Sequence, residues 1–332
     1  MKTLHSIRPA RTRRHVRHTL AVAIAAGALL LAGCAGDDLS SEGDDAPDDG
    51  GSSASESKGP VSISGQSFDE AALVAAMYEQ LLADAGYEPT VKLVDSRDGY
   101  ATEIGKSVDI VPEYVGGIVN FLNAQANGDD AEPFEAGDGG ELADQGEQLL
   151  ADAGIELLDI SEATDTNAFF VTQDYSDANG VTKLSDLEGE SVTLAAAPDC
   201  EGRLDCEGGL SDEYGIDVTE VLPLGYASAQ TYKSVLDGES ELGETSTTDG
   251  SLESQGLVVL DDDKQIQPAQ NLVPAVSQAF LDEHPDIADV LNPLMAALTT
   301  EKLTELNGRV SVDREKVEDV AADFLQSEGL LG

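Results

Sequence analysis

Histidine, cysteine and clustered aspartate are the residues whose chemistry could define a site here, and their placement narrows the choice. His5, His15 and His18 all precede Cys34, which leaves His284 as the one histidine downstream, in Glu-His-Pro between two apparent helices. A single histidine cannot build a His-rich metal site, and it would be the sole base open to a Ser-His-Asp arrangement. An exposed histidine at a helix end is the plainer reading. Asp261-Asp262-Asp263 could suggest calcium. The EF-hand spacing, with its central glycine and terminal glutamate, is missing, so the run reads as a solvated turn. Cys200 and Cys206 lack the Cys-x-x-Cys spacing of thioredoxin-like redox sites. In an exported chain such an even pair suggests a disulfide, with two free thiols as the alternative.

The N-terminus supports export. Lys2, Arg8, Arg11, Arg13, Arg14 and Arg17 precede a short apolar run, 20–31. Spanning a bilayer takes about 20 residues, so this run reads as the core of a signal peptide, residues 1–33. Its end, Leu-Ala-Gly-Cys34, resembles the lipobox of bacterial lipoproteins, which implies lipid attachment at Cys34 and anchoring on the extracytoplasmic face of the cell membrane. Arg13-Arg14 leaves twin-arginine and general export both open. Residues 34–60 are rich in Gly, Ser, Asp and Glu and read as a disordered acidic tether between anchor and body.

Charge excludes one class of partner. The chain carries 18 Lys and Arg against 65 Asp and Glu, a formal charge of −47, and six of the basic residues precede Cys34. Nucleic acids are recognised through clustered basic residues, so they are not expected partners. An acidic surface repels itself, stays solvated and steers cationic solutes inward.

The body alternates strand and helix patterns. Strands are expected at 61–63, 91–94, 108–111, 155–158, 168–172, 192–196, 220–222, 257–260 and 272–276. Asp69 is expected to cap a helix carrying Leu73, Met77 and Leu81 on one face and ending at Gly86. Further helices are expected near Tyr100, at 141–153, at 228–236, and along most of the chain after 277. The alternation argues for α/β layers in two lobes.

Several stretches then resemble, in order, the glycine betaine/choline/carnitine family of ABC-transporter substrate-binding proteins. Asp109-Ile-Val-Pro-Glu-Tyr-Val-Gly-Gly117 is similar to its Asp-x-x-Pro-Glu-Tyr-x-Gly-Thr signature. Ser64-Gly-Gln-Ser-Phe-Asp-Glu70 is similar to its opening motif. Thr247-Thr-Asp-Gly250, Leu257-Val-Val-Leu-Asp-Asp-Asp-Lys264 with Pro268, His284-Pro285, Leu306-Asn307 and Ala322-Asp-Phe-Leu325 follow in register. The resemblance implies a two-lobed periplasmic-binding-protein fold of type II with the ligand cleft between lobes. The lobes fall at 61–165 and 247–332 for the first and 166–246 for the second.

It also implies the site. The family holds trimethylammonium groups in aromatic cages, because such a head has no N–H to donate and ring faces attract it instead. Position by position, Tyr114, Phe169 and Tyr232 are carried over as cage residues and Asn167 as their neighbour. Thr248 and Asp249 come from the Thr-Asp-Gly stretch, and Arg203 matches an arginine that reaches the ligand in some members. Four positions depart. Gln66 stands where a carboxylate-binding lysine is common, Ala71 replaces a frequent glutamine, Gly117 a threonine and Ser246 an aromatic residue. The expected function is therefore capture of a quaternary ammonium osmoprotectant by a monomer that delivers it to an ABC permease and its ATPase, without cofactor, metal or catalysis. The alternatives are a binding protein for another small amine or polar solute, or a surface sensor with no transporter. A hydrolase on the same scaffold would need a histidine base and a nucleophile motif that the sequence lacks.

Overall fold

The computed structural model describes residues 57–128, 131, 133–134 and 138–332. The expected signal peptide, Cys34 and residues 34–56 of the tether lie outside the described residues. All of the architecture below falls within one compact unit, residues 54–332.

Two five-stranded mixed sheets organise the body. The first has the order β2-β1-β3-β10-β4, with β1 at Pro60–Gln66, β2 at Glu88–Val94, β3 at Ile110–Tyr114, β4 at Ile155–Leu157 and β10 at Leu272–Ser277. The second has the order β7-β6-β8-β5-β9, with β5 at Asn167–Thr172, β6 at Ser191–Ala196, β7 at Asp217–Pro223, β8 at Leu242–Ser246 and β9 at Leu257–Leu260. In each sheet four strands run in one direction and a single strand, β10 in the first and β5 in the second, runs antiparallel between two of them. Pro60, expected in the tether, already opens β1.

β3 is buried along its whole length, its one charged residue, Glu113, included, because helices cover both faces. Pro112 would cost a ladder bond in most central strands. Here it faces Pro274 across β3–β10 and lies beyond the single β1–β3 pair, Ile63 with Ile110. Helices Asp69–Asp84, Ile287–Ala297, Thr300–Ser311 and Val317–Ser327 fill one side, and Val115–Asn127 with Gly139–Ala153 the other.

Two expectations need correction. The second lobe does not end at residue 246. β9 pairs with β5 from Phe169–Leu260 to Thr172–Leu257, so the chain rejoins the first sheet only at β10. Residues 247–250 touch the first lobe in passing: the Thr304 hydroxyl donates to the Thr247 carbonyl, and Gly250 packs against Gly308 so closely that a Cβ would sit 2.3 Å from its nitrogen. The helix at Asp69–Asp84 is also not capped by Asp69. Phe68 holds the N-cap position and makes no side-chain cap bond. An aromatic residue there forgoes the usual capping hydrogen bond, and the ring's use lies elsewhere, in the site.

The lobes are joined by chain segments that pair with each other. Thr164 and Asn271 form an antiparallel bridge, the Leu272 amide donates to the Ala163 carbonyl, and the Asp165 amide donates to that of Gln270. A two-stranded connection of this kind lets two rigid lobes move about a few residues.

Candidate functional site

A cavity of about 690 Å³ lies where these segments meet the two lobes. Phe68, Glu70 and Asn307 line it from the first lobe, Tyr226, Tyr232 and Ser246 from the second, and Asp165, Thr248 and Asp249 from the segments between. Larger space exists, about 1140 Å³ beside Leu257 and Arg309, but among the described residues no aromatic ring lines that one. The smaller cavity is the one with converging polar groups and rings.

Phe68 and Tyr226 are 39 % and 44 % exposed, unusual values for aromatic residues, and both face this cavity. Phe68 reaches it from the N-cap position. Tyr226 sits before Ala227, whose φ of 45° lies in the left-handed region that costs a non-glycine residue about 1 kcal/mol or more. Tyr226 and Ser246 line the same cavity. A second-lobe ring thus stands beside the position where an aromatic residue was expected and serine is found. Tyr232 rises from the helix Ala229–Asp237, leans on Phe170 at 5.5 Å, and donates its hydroxyl to Asp249 at 2.5 Å.

Acids surround these rings. Asp249 also accepts from Thr245 and Ser251, and although burial pushes its pKa up, these bonds and that from Tyr232 outweigh burial and hold it below the usual range. Glu70 is buried and accepts from the hydroxyl of Tyr114 and from Asn307 Nδ2. Burial raises its pKa despite bonds from Tyr114, Thr248 and Asn307. Asp165 is pushed up to about 7, first by burial and then by the charge of Glu70. Such a pair disfavours double ionisation unless positive charge arrives.

The residues expected from sequence divide accordingly. Tyr232, Thr248 and Asp249 line the cavity. Tyr114 stands one layer behind, 8 % exposed, bonded to Glu70 and stacked on Phe68 with ring centroids 6.5 Å apart. Asn167 and Arg203 line an adjoining pocket of about 260 Å³ that shares Asp165 and Tyr226 with the main cavity. Arg203 is engaged there. It forms a two-pronged pair with Asp205, at 2.9 and 2.6 Å, and reaches Asp199 at 3.2 Å. Asn167 donates to Asp205 as well.

Phe169 is a correction. Successive strand residues face opposite sides, and Phe169 points into the second-lobe core with Leu194, Tyr214 and Leu260 while Phe170 turns toward Tyr232. Gln66, the last residue of β1, lies outside the cavity wall. Cys200 and Cys206 are joined by a disulfide whose loop presents Arg203. Phe68, Glu70, Asp165, Tyr226 and Asn307 were missed. Phe68, Glu70 and Asn307 fall inside matched motifs, and Tyr226 is an aromatic residue in a Gly-Tyr-Ala-Ser turn.

The signature glutamate has a structural task. Glu113 is fully buried, paired with Arg97 at 2.8 and 3.1 Å, and accepts from the Tyr100 hydroxyl and the Tyr114 amide. Gly117 makes this possible, since a Cβ there would lie 2.4 Å from an Arg97 nitrogen. The departure from threonine at 117 thus makes room for Arg97.

Comparison with known proteins decides the lineage. Residues 59–327 match the family described as the substrate binding domain of ABC-type glycine betaine transport system. This chain belongs to that family. Its similar relatives include the glycine-betaine-binding protein of Pseudomonas aeruginosa, 28 % identical across 81 % of this chain and 88 % of that one, and the glycine betaine-binding protein YehZ of Escherichia coli, 27 % identical across 81 % and 91 %. The solved structure of apo YehZ matches with a TM-score of 0.68, 24 % identity and coverage of 82 % and 99 %, which supports the two-lobed fold. A glycine betaine/carnitine/choline ABC transporter structure matches at 0.69 and 21 % over 82 % and 98 %. As a member, the chain is a substrate-binding component of ABC-type transport rather than an enzyme, and its place is extracytoplasmic. Among the described residues no helix is long and apolar enough to cross a membrane.

Proposed function

We propose that this protein captures a quaternary ammonium osmoprotectant, such as choline, glycine betaine or carnitine, between its lobes and hands it to an ABC permease. One observation carries the reading: three aromatic rings and three acids line one cavity, Phe68, Tyr226 and Tyr232 beside Glu70, Asp165 and Asp249. A trimethylammonium head gains from each ring face roughly 0.5–2 kcal/mol. It offers no N–H, so rings suit it better than oxygens do. The acids add long-range attraction and lose their mutual repulsion once a cation sits among them.

The body acts as a monomer, held to the extracytoplasmic face of the membrane by lipid on Cys34 and spaced from it by the acidic tether. Lobe closure about the segments at 163–167 and 266–271 traps the solute and signals loading to the permease.

A thermal-shift screen tests the reading. Any solute that binds only the folded state raises stability with its concentration, by about 2.7 kcal/mol at a hundred times its Kd. Choline, glycine betaine, carnitine and proline betaine should raise Tm, and proline or glucose should not. A panel with no response from any quaternary ammonium compound contradicts the proposal.

A further inference from the structure

We infer that the solute preferred by this cavity is a cation with its own O–H or N–H donor and no carboxylate. This rests on the quaternary ammonium reading and narrows it to the choline type.

The polar groups of the wall are the reason. Among the described residues no lysine or arginine lines the main cavity. The adjoining pocket contains Arg203, but Asp205 grips its guanidinium with two bonds and Asp199 with a third. Gln66 replaces the expected lysine and lies off the wall. A carboxylate-bearing zwitterion would set its negative end beside Glu70, Asp165 and Asp249 with no free cation to meet it. Like charges at that range cost more than steering can return.

Unmet demand at the site runs the other way. Asn307 lines the cavity, is 9 % exposed, and its Oδ1 is buried without a hydrogen-bond partner. Its amide cannot be turned to remove that deficit. Nδ2 donates to Glu70 Oε2 at 2.6 Å and to the Thr248 carbonyl at 3.1 Å, so a flip would set oxygen against two acceptors. Asp165 Oδ1 is likewise buried and unpartnered. A buried acceptor without a donor is costly, and a solute that brings one relieves it. A hydroxyl two carbons from a trimethylammonium head brings one, whereas a carboxylate brings only more acceptors.

The test is competitive calorimetry on the purified full chain with three probes sharing one head: choline, choline methyl ether and glycine betaine. Choline should bind at least roughly tenfold tighter than either of the others, the size of one well-made hydrogen bond to a charged or buried partner. Asp165→Asn should shrink the preference over glycine betaine while leaving Tm no lower than wild type. Glycine betaine binding as tightly as choline overturns the charge argument, and the methyl ether binding as tightly overturns the donor argument. In both cases the quaternary ammonium reading survives. Failure of all three probes to bind defeats that reading and this inference together.

Discussion

The hydroxyl of Tyr114 is bonded to the carboxylate of Glu70, and this contact sets the signature tyrosine behind the cavity wall rather than on it. Two layers follow. Phe68, Tyr226 and Tyr232 line the cavity, while Tyr114 stacks on Phe68 and holds Glu70. Family resemblance points to the supporting ring and to Tyr232, and exposure points to Phe68 and Tyr226.

The layering separates variants. Phe68→Leu keeps apolar area and loses the quadrupole, so affinity for choline should fall roughly threefold to tenfold with kept stability. Tyr114→Phe keeps the ring but removes the bond to Glu70, so it should change the pH dependence of binding more than the affinity at pH 8. Titrations of both variants at pH 6 and 8 check the distinction. Equal effects of the two would remove the layered account.

Binding should weaken in acid. Asp165 is held near 7 by burial and by Glu70, and a cation in the cavity favours its ionised form, so below that pH the solute must expel a proton. Affinity should drop up to roughly tenfold from pH 8 to pH 6, since one proton is worth at most tenfold per unit. Buffers of different ionisation enthalpy should report proton release near pH 6. The other groups facing Asp165, namely Glu70, Asp249, Tyr226 and Tyr114, stay in one protonation state or shift in the same direction. Affinity that is flat across this window counts against the acid pair.

The same shift has a stability sign. A carboxyl whose folded pKa lies above its unfolded value of 3.8 stabilises the fold most below 3.8, and loses that contribution as pH rises toward about 7. Asp165→Asn should therefore be more stable than wild type at pH 8, by on the order of 2 kcal/mol, and nearly equal to it at pH 4. Urea denaturation at the two pH values measures the difference.

Breaking the Glu113–Arg97 pair should hurt folding first. Removing one partner leaves a largely buried charge, at a cost of about 3 kcal/mol. Glu113→Gln should lower the urea midpoint accordingly, and Gly117→Thr should do so less, by driving Arg97 off Glu113. Choline affinity measured on the remaining folded protein should change little, because neither residue lines the cavity.

Membrane attachment is open to a direct trial. Cys34→Ala should accumulate as precursor or appear in the medium, and normal processing with membrane retention would exclude lipid attachment there.

Much of this was legible in the residues. The apolar run at 272–276 announces a strand buried on both faces, whereas the strand expected at 108–111 runs on through Glu113 to Tyr114. Tyr232, Thr248 and Asp249 come to the cavity because a helix and the turn after β8 deliver them there. Phe169 misled because two adjacent phenylalanines occupy opposite faces of one strand, and only the sheet's register tells which is core. The lobe boundary misled because 247–250 brush the first lobe before β9 returns to the second. The Glu70–Asp165 pair was out of reach, since 95 positions separate two carboxyls that only folding brings together.

One measurement bears most directly on the central claim: calorimetric titration of the purified chain with choline at pH 8, for wild type and for the Tyr226→Ala/Tyr232→Ala double variant. Saturable one-to-one binding by wild type, weakened by roughly a hundredfold when both second-lobe rings are lost, is the expected result. Undiminished binding by the double variant, or no saturable binding of choline, glycine betaine or carnitine by wild type, would contradict capture of a quaternary ammonium solute in this cavity.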